Sequence, residues 1–171
     1  MTDRVLLTVG TLALAVGLYA LMLKGWRSRQ RRQGDLPAPP PGPADPGAVL
    51  VGATPGLFVG TTYAEHWLDR VAVHGLGHRA AGWLTVAGTG VLIEREGQDD
   101  LHLAYGDLVS AEPGDALAGK FVGRDGMLLL TWRLGGHLLT SGFRADDHST
   151  HRRLADAVTA AIPAHAPEDR A

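Results

Sequence analysis

The sequence predicts an α+β, mainly β architecture: a separate apolar helix at the N-terminus, then a small antiparallel β domain ending in one amphipathic helix. Three observations carry that expectation. Residues 5–23 hold no charged side chain. Between residues 49 and 145, short β-branched and aromatic runs alternate with glycine-containing turns, the pattern of antiparallel strands. After Asp146-Asp147 the apolar period lengthens to four residues, the pattern of a helix with one buried stripe.

The N-terminal run comes first. Its nineteen residues would make a helix of roughly 29 Å at ~1.5 Å per residue, close to the ~30 Å hydrocarbon core of a bilayer. Lys24, Arg27, Arg29, Arg31 and Arg32 follow it, with Trp26 placed where an indole rests at the headgroup level. Only the α-amino group, Asp3 and Arg4 precede it. The side richer in Lys and Arg stays in the cytoplasm, so the expectation is an outside N-terminus, a single span at the plasma membrane and a cytoplasmic C-terminal domain. A cleavable signal peptide places its charges before a shorter apolar stretch and ends in a small-x-small site. This sequence has the reverse order and no such site. Gly10, Ala13, Gly17 and Ala20 fall on one helix face, a seam through which another spanning helix could approach closely. The plainer reading is that spanning helices are simply rich in small residues.

The formal net charge of −2 over 171 residues hides a division. Residues 1–34 carry +5, residues 49–171 carry −5, and Asp35 and Asp45 supply the rest. A basic segment beside an anionic leaflet with an acidic body beyond it suits a membrane surface. The acidic body argues against nucleic acid, which needs a cationic surface. No cysteine is present, which removes disulfides and thiolate chemistry. Six prolines between residues 37 and 46 predict an extended polyproline spacer over 33–48 rather than sheet or helix. That run is also a candidate ligand for a proline-reading module. The organisation expected is therefore an anchor with its basic stop (1–32), a Pro-rich linker (33–48), a cytoplasmic domain (49–162) and a disordered tail (163–171).

Within the domain, strands are expected at 56–63, 81–87, 90–95, 101–105 and 108–111, with a short one at 120–122 and a hairpin of 127–134 with 137–144. Gly88-Thr89 and Gly135-Gly136 supply hairpin turns. Trp67, Leu68 and Val71 predict a short helix over 64–74, stopped by Gly75 and Gly77. Asp146 and Asp147 should cap a final helix in which Leu154, Val158 and Ile162 face a sheet, with Pro163 ending it. About seven antiparallel strands followed by one amphipathic helix is the element order of a pleckstrin-homology (PH)-like barrel, where the helix plugs an open end. An immunoglobulin-like sandwich lacks such a helix.

Particular strings carry a resemblance. Thr131-Trp132-Arg133-Leu134-Gly135 and Thr140-Ser141-Gly142-Phe143-Arg144 stand with Thr61-Thr62-Tyr63, Leu68-Asp69-Arg70-Val71, His74-Gly75-Leu76-Gly77 and Gly90-Val91-Leu92-Ile93-Glu94-Arg95. Together with the apolar run, basic stop and Pro-rich spacer, they resemble an actinobacterial family of single-pass membrane proteins with a bacterial PH-like domain. Several of its members are encoded among pyrimidine-biosynthesis genes. The resemblance implies an anchored PH-like module and transfers no catalytic residue.

Chemistry-bearing motifs are sparse. His148-x-x-His151 beside Asp146 and Asp147 has ligand spacing on a helix, but it sits where polar residues cap and solvate. His74 and His78 are separated by glycines, and neither pair forms an HExxH pattern. There is no G-x-S-x-G elbow, and the Gly75-x-Gly77 and Gly88-x-Gly90 fragments read as turns. Neither enzyme activity, metal nor cofactor is implied. Headgroup recognition would need several converging cations, and the first hairpin offers Arg70, His74, His78 and Arg79 against Glu65 and Asp69. The best candidate partner-binding residues are Trp132, Arg133, Phe143 and Arg144, because aromatic and Arg side chains dominate interface hot spots. The competing reading puts Trp132 and Phe143 in the core and leaves the arginines solvated. The expected function is a membrane-anchored, non-catalytic binding or scaffolding protein with a protein partner; the alternative is an accessory subunit of a transporter, packed through the Gly10–Ala20 seam.

Overall fold

The computed structural model describes residues 2–117, 119–121, 123 and 125–165. It divides into two compact units, Met1–Asp35 and Leu36–Ala171. The first is one helix, α1 (Thr2–Arg32). Its described side chains run from Gly10 to Gly25, so residues 5–9 of the expected span and the interface candidates Trp26, Arg27, Arg29, Arg31 and Arg32 lie outside them. Among the described residues no helix is long and apolar enough to cross a membrane, so the spanning helix read from 5–23 is not shown by them. Leu12, Leu14, Val16, Leu18, Tyr19, Leu21 and Met22 are nevertheless all exposed, and they point to every side of the helix.

Among the described residues the second unit holds ten strands: β1 (Val49–Tyr63), β2 (His66–Arg70), β3 (Ala80–Ala87), β4 (Gly90–Arg95), β5 (Leu101–Ala104), β6 (Leu108–Gly114), β7 (Ala116–Leu117), β8 (Lys120–Phe121), β9 (Met127–Leu134) and β10 (His137–Ala145). The helix α2 (Thr150–His165) closes it. Seven strands run in the order β5-β4-β3-β1-β10-β9-β6, β2 adds to β1, and β7 pairs with β8 alone. The seven-strand path matches the expected number; β8 falls on the short strand expected at 120–122, and β2 and β7 are additions. The expected closed barrel is instead an open sheet. Its ends, β5 and β6, follow one another in the chain without pairing.

The long strand β1 joins the two halves of this sheet. Its N-terminal half pairs with β3, from Val49↔Ala87 to Phe58↔Ala80, and its C-terminal half with β10, from Gly56↔Ala145 to Tyr63↔Leu139. At Gly56 it has neighbours on both sides, and a Cβ there would strike the Arg144 carbonyl oxygen and the Phe143 ring. Residues 49–55 extend the strand expected at 56–63, although Gly52, Ala53 and Pro55 are poor strand formers. The clearest predicted hairpin forms as read: β9 and β10 pair from His137↔Leu134 to Phe143↔Leu128. Gly135 and Gly136 take φ 55° and 84°, the two positive values a type I′ turn demands.

Alternation places Leu128, Leu130 and Trp132 of β9, and Leu139 and Phe143 of β10, in one core with Leu84, Ile93 and Leu103. Leu154, Ala155 and Val158 of α2 complete it, and Thr159 Oγ1 donates to the Ala111 carbonyl of β6 at 3.3 Å. Burying each such large side chain contributes about 1.5–3 kcal/mol.

Three expectations need correction. The segment 64–74 is not helical: His66–Arg70 is a strand whose backbone is taken up by β1, a stronger claim than a weak three-residue periodicity. Helix α2 continues past Pro163 to His165, because a proline in a last turn loses one hydrogen bond yet keeps a helical φ; residues 166–171 of the expected tail lie outside the described residues, as do Val122 and Arg124 of the turn region. The Pro-rich segment is not a free spacer beyond residue 35. Leu36 is buried in the core, and its carbonyl accepts from His74 Nε2 at 2.8 Å. Ten residues on, the Pro46 carbonyl accepts from both the Thr89 amide (3.1 Å) and the Thr89 hydroxyl (3.0 Å). Proline needs no amide partner, so this stretch can lie along the domain without leaving donors unmet.

Candidate partner-binding site

The β9–β10 hairpin does not bring its four candidate residues together. Trp132 and Phe143 are buried, 2% and 0% exposed, so neither ring is offered to a partner. The Trp132 indole donates to Ser141 Oγ at 2.9 Å, and Ser141 shares a 2.8 Å hydroxyl contact with Thr61. Arg133 and Arg144 are exposed on the other face. Arg133 stands opposite Leu138, six residues before Arg144, which separates the two by roughly 20 Å at ~3.3 Å per residue. On α1, Gly10, Ala13, Gly17 and Ala20 are all exposed, and nothing lies within 4 Å of a Cβ placed at Gly10 or Gly17.

Arg70 of the first hairpin and Arg95 of β4 are engaged in holding loops. Arg70 donates to the carbonyls of Val59 (3.0 Å) and Gly77 (2.8 Å). Arg95, only 5% exposed, donates to the carbonyls of Asp99 and Gly75 and lies 5.0 Å from the centre of the Phe58 ring. Burial lowers the pKa of both guanidiniums, yet they stay charged. His78 and Arg79 are exposed.

Sequence reasoning missed a groove along the first half of β1. Pairing with β10 starts only at Gly56↔Ala145; the Asp146 amide donates to the Pro55 carbonyl at 3.1 Å, and the chain then turns away into α2. Among the described residues no strand pairs with residues 49–55 on that side. The resulting groove, about 590 Å³, is floored by residues 50–55 and walled by Asp146, Asp147, Thr150 and Arg153. Val49 and Leu50 are 60% and 54% exposed beside it. Asp147 Oδ1 accepts from the Ser149 amide (2.9 Å) and hydroxyl (2.8 Å). Those two bonds hold its carboxyl below the ordinary range, with Arg153 adding to the effect. The one signal in the sequence was the Asp146-Asp147 pair, read there as a cap.

Chemically, the groove offers strand-edge amides and carbonyls, two carboxylates and one guanidinium. His148 and His151 stack edge-to-face at 5.6 Å, but His151 Nε2 is occupied by the Ala145 amide at 2.9 Å. Among the described residues no group of three or more potential metal ligands converges.

A strand-edge groove flanked by a terminal helix, on an open seven-strand path, is the setting in which the family comparison becomes informative. The model of the bacterial PH domain-like family matches residues 35–159. The chain belongs to that family. The match begins at the residue before Leu36, so the bacterial PH-like domain includes the packed Pro-rich segment as well as the sheet and most of α2. No curated protein matches the chain. Among solved structures, a chain of "The 8S snRNP Assembly Intermediate" is similar at 9% identity and a TM-score of 0.50, covering 78% of this chain and 94% of that one. At that identity the likeness shows a shared fold.

Proposed function

We propose that this bacterial PH-like protein is a membrane-tethered, non-catalytic binding scaffold. In this reading α1 anchors it with the N-terminus outside, and the cytoplasmic domain takes an extended segment of a protein partner along the free edge of β1. The observation that carries the reading is the side of β1 opposite β3, which no described strand pairs with over residues 49–55, beside Asp146 and Asp147, since exposed strand edges recruit partner strands through main-chain hydrogen bonds. The anchor rests on α1. Its seven large apolar side chains, 59–66% exposed on all sides, forgo roughly 10 kcal/mol or more of burial in water, which a lipid surround would restore. Residues 24–32 bring five cations to the cytoplasmic leaflet. Only Gln33, Gly34 and Asp35 separate Arg32 from the core residue Leu36, so the tether is short and keeps the local concentration of the groove high at the membrane.

The chain has no cysteine, so one introduced thiol can be addressed alone. A photo-crosslinker attached at Val49→Cys, exposed beside the groove, in full-length protein in native membranes should trap a discrete partner. The same probe at Val109→Cys, exposed on β6, should not. Equal trapping at both positions would reject the β1 edge, and recovery of the full chain in the soluble fraction after alkaline extraction would reject the anchor. The exposed Gly10, Ala13, Gly17 and Ala20 seam favours a second reading, an accessory subunit packed on a polytopic transporter. Exchanging residues 5–23 for an unrelated spanning helix abolishes that assembly and leaves strand-edge binding intact.

A further inference from the structure

Four hydroxyl side chains form one line across four strands on the outer face of the sheet. Thr62 of β1 stands opposite Thr140 of β10, Thr140 opposite Thr131 of β9, and Thr131 opposite Ser110 of β6. The Thr131 and Thr140 hydroxyls lie 3.3 Å apart. These four residues line a pocket of about 210 Å³ that also reaches Glu112 on β6. The short β7–β8 hairpin bounds the pocket through Ala116 and Leu117. Leu117 is held there by a second small core of Val59 and Met127. Gly142 makes the fit: a Cβ on it would stand 2.7 Å from Leu117 Cδ2 and 3.3 Å from Met127 Sδ.

One member of the line is unmet. Thr62 is 1% exposed, and its Oγ1 is buried with no hydrogen-bond partner among the described residues. Such an orphan costs about 1–3 kcal/mol, and a ligand that bonded it would recover that loss. Glu112 is exposed on the same face and has no ion-pair partner among the described residues. Leu117 and Leu129 give the pocket an apolar wall.

We propose that this pocket binds a cation at the end of an aliphatic stem, either an Arg or Lys side chain of a protein partner or a free alkylguanidinium or alkylammonium. The size supports a single side chain, since drug-sized ligands occupy roughly 300–1,000 Å³. The chemistry supports a donor-rich cationic tip: the hydroxyl oxygens and the carboxylate accept, Glu112 repels anions, and an apolar tip leaves Thr62 Oγ1 unmet. Leu117 and Leu129 take the stem. The pocket is built from different residues than the β1-edge groove, so either site can fail without the other.

Butylguanidinium titrated into the full-length protein in detergent micelles tests the pocket, with butylurea as neutral isostere and butyrate as anion. Butylguanidinium should bind at least tenfold more tightly than either. Glu112→Gln should weaken it about tenfold, and Thr62→Val, which keeps the shape, several-fold, while Thr62→Ser keeps binding. A Gly-flanked Arg peptide that binds well above butylguanidinium assigns the site to a partner's side chain; equal affinity assigns it to the free cation. Absence of binding by both probes, or binding unchanged in Glu112→Gln, overturns the proposal. If Thr62→Val raises the melting temperature and leaves binding unchanged, the orphan hydroxyl lies outside the site and the proposal fails as well.

Discussion

The Trp132 indole N–H and the Ser141 hydroxyl are joined at 2.9 Å across the β9–β10 hairpin, and this bond decides what that hairpin is for. Because Ser141 Oγ accepts from the indole, its own proton is free for Thr61 Oγ1 at 2.8 Å. Three strands are tied by one buried polar chain. Ser141→Ala leaves the indole N–H and the Thr61 hydroxyl short of a partner and should cost about 1–3 kcal/mol. Trp132→Ala should cost about 3–5 kcal/mol. Arg133→Ala and Arg144→Ala, solvated on the opposite face, should each stay within about 0.5 kcal/mol of the parent. Chemical denaturation of the four variants checks the order, and a Ser141→Ala, Trp132→Phe double cycle should show coupling.

Stability should fall on mild acidification through His151. This imidazole is fully buried, and its Nε2 accepts from the Ala145 amide, so the neutral ring carries its proton on Nδ1. Burial, then the neighbouring His148, lower its pKa. The carbonyls of Asp125 and His148 pull the other way without reaching hydrogen-bonding geometry at Nδ1. An unfolded imidazole titrates near ~6.5. With the folded value depressed, the contribution of neutral His151 is full above about pH 6.5 and is lost as pH falls from there toward the folded pKa, at a slope of up to ~1.4 kcal/mol per pH unit. Denaturation midpoints between pH 7.5 and 5 should drop more steeply for the parent than for His151→Gln.

Alternation and turn chemistry made most of the sheet legible. The β9–β10 hairpin reads directly because every second residue from Leu128 to Leu134 is apolar and two glycines mark the turn. Trp132 and Arg133 show where residue type alone is ambiguous. Residue type identified both as hot-spot candidates, but neighbours along a strand face opposite ways, so one is core and the other solvent. The β1-edge groove was invisible for a different reason. It exists because β10 ends at Ala145 while β1 extends to Val49 on the other side of Gly56, a mismatch of lengths that only pairing reveals. The hydroxyl line was equally hidden, since Thr62, Ser110, Thr131 and Thr140 share a row only through the register of three strand pairs.

The Pro-rich segment behaves as part of the domain, and Leu36 is the residue that fixes it. Leu36→Ala should destabilise the domain by about 2–5 kcal/mol, as for other buried leucines. His74→Ala, which removes the donor to the Leu36 carbonyl, should cost about 1 kcal/mol. Limited proteolysis should cut the Leu36→Ala variant within residues 37–48 well before the sheet is digested, while the parent resists there. A parent cleaved as fast as the variant would return this stretch to the status of a free spacer.

Occupancy of the β1 edge should depend on main-chain pairing more than on side chains, and that gives the last prediction its form. Leu50→Ala removes an exposed apolar side chain and should weaken partner binding only several-fold. A bulky maleimide on Ala53→Cys stands over the strand edge and should abolish binding, with unchanged melting because Ala53 is exposed. Asp146→Asn and Asp147→Asn separate charge from edge. If the partner strand carries a cation opposite them, Asp146→Asn weakens binding and makes it less sensitive to salt. Asp147→Asn, which also weakens the cap made by the Ser149 bonds, should lower the melting temperature in addition. Titration of a trapped partner peptide against the full-length variants at two ionic strengths measures all four, and strong binding by the maleimide-blocked protein would move the site away from β1.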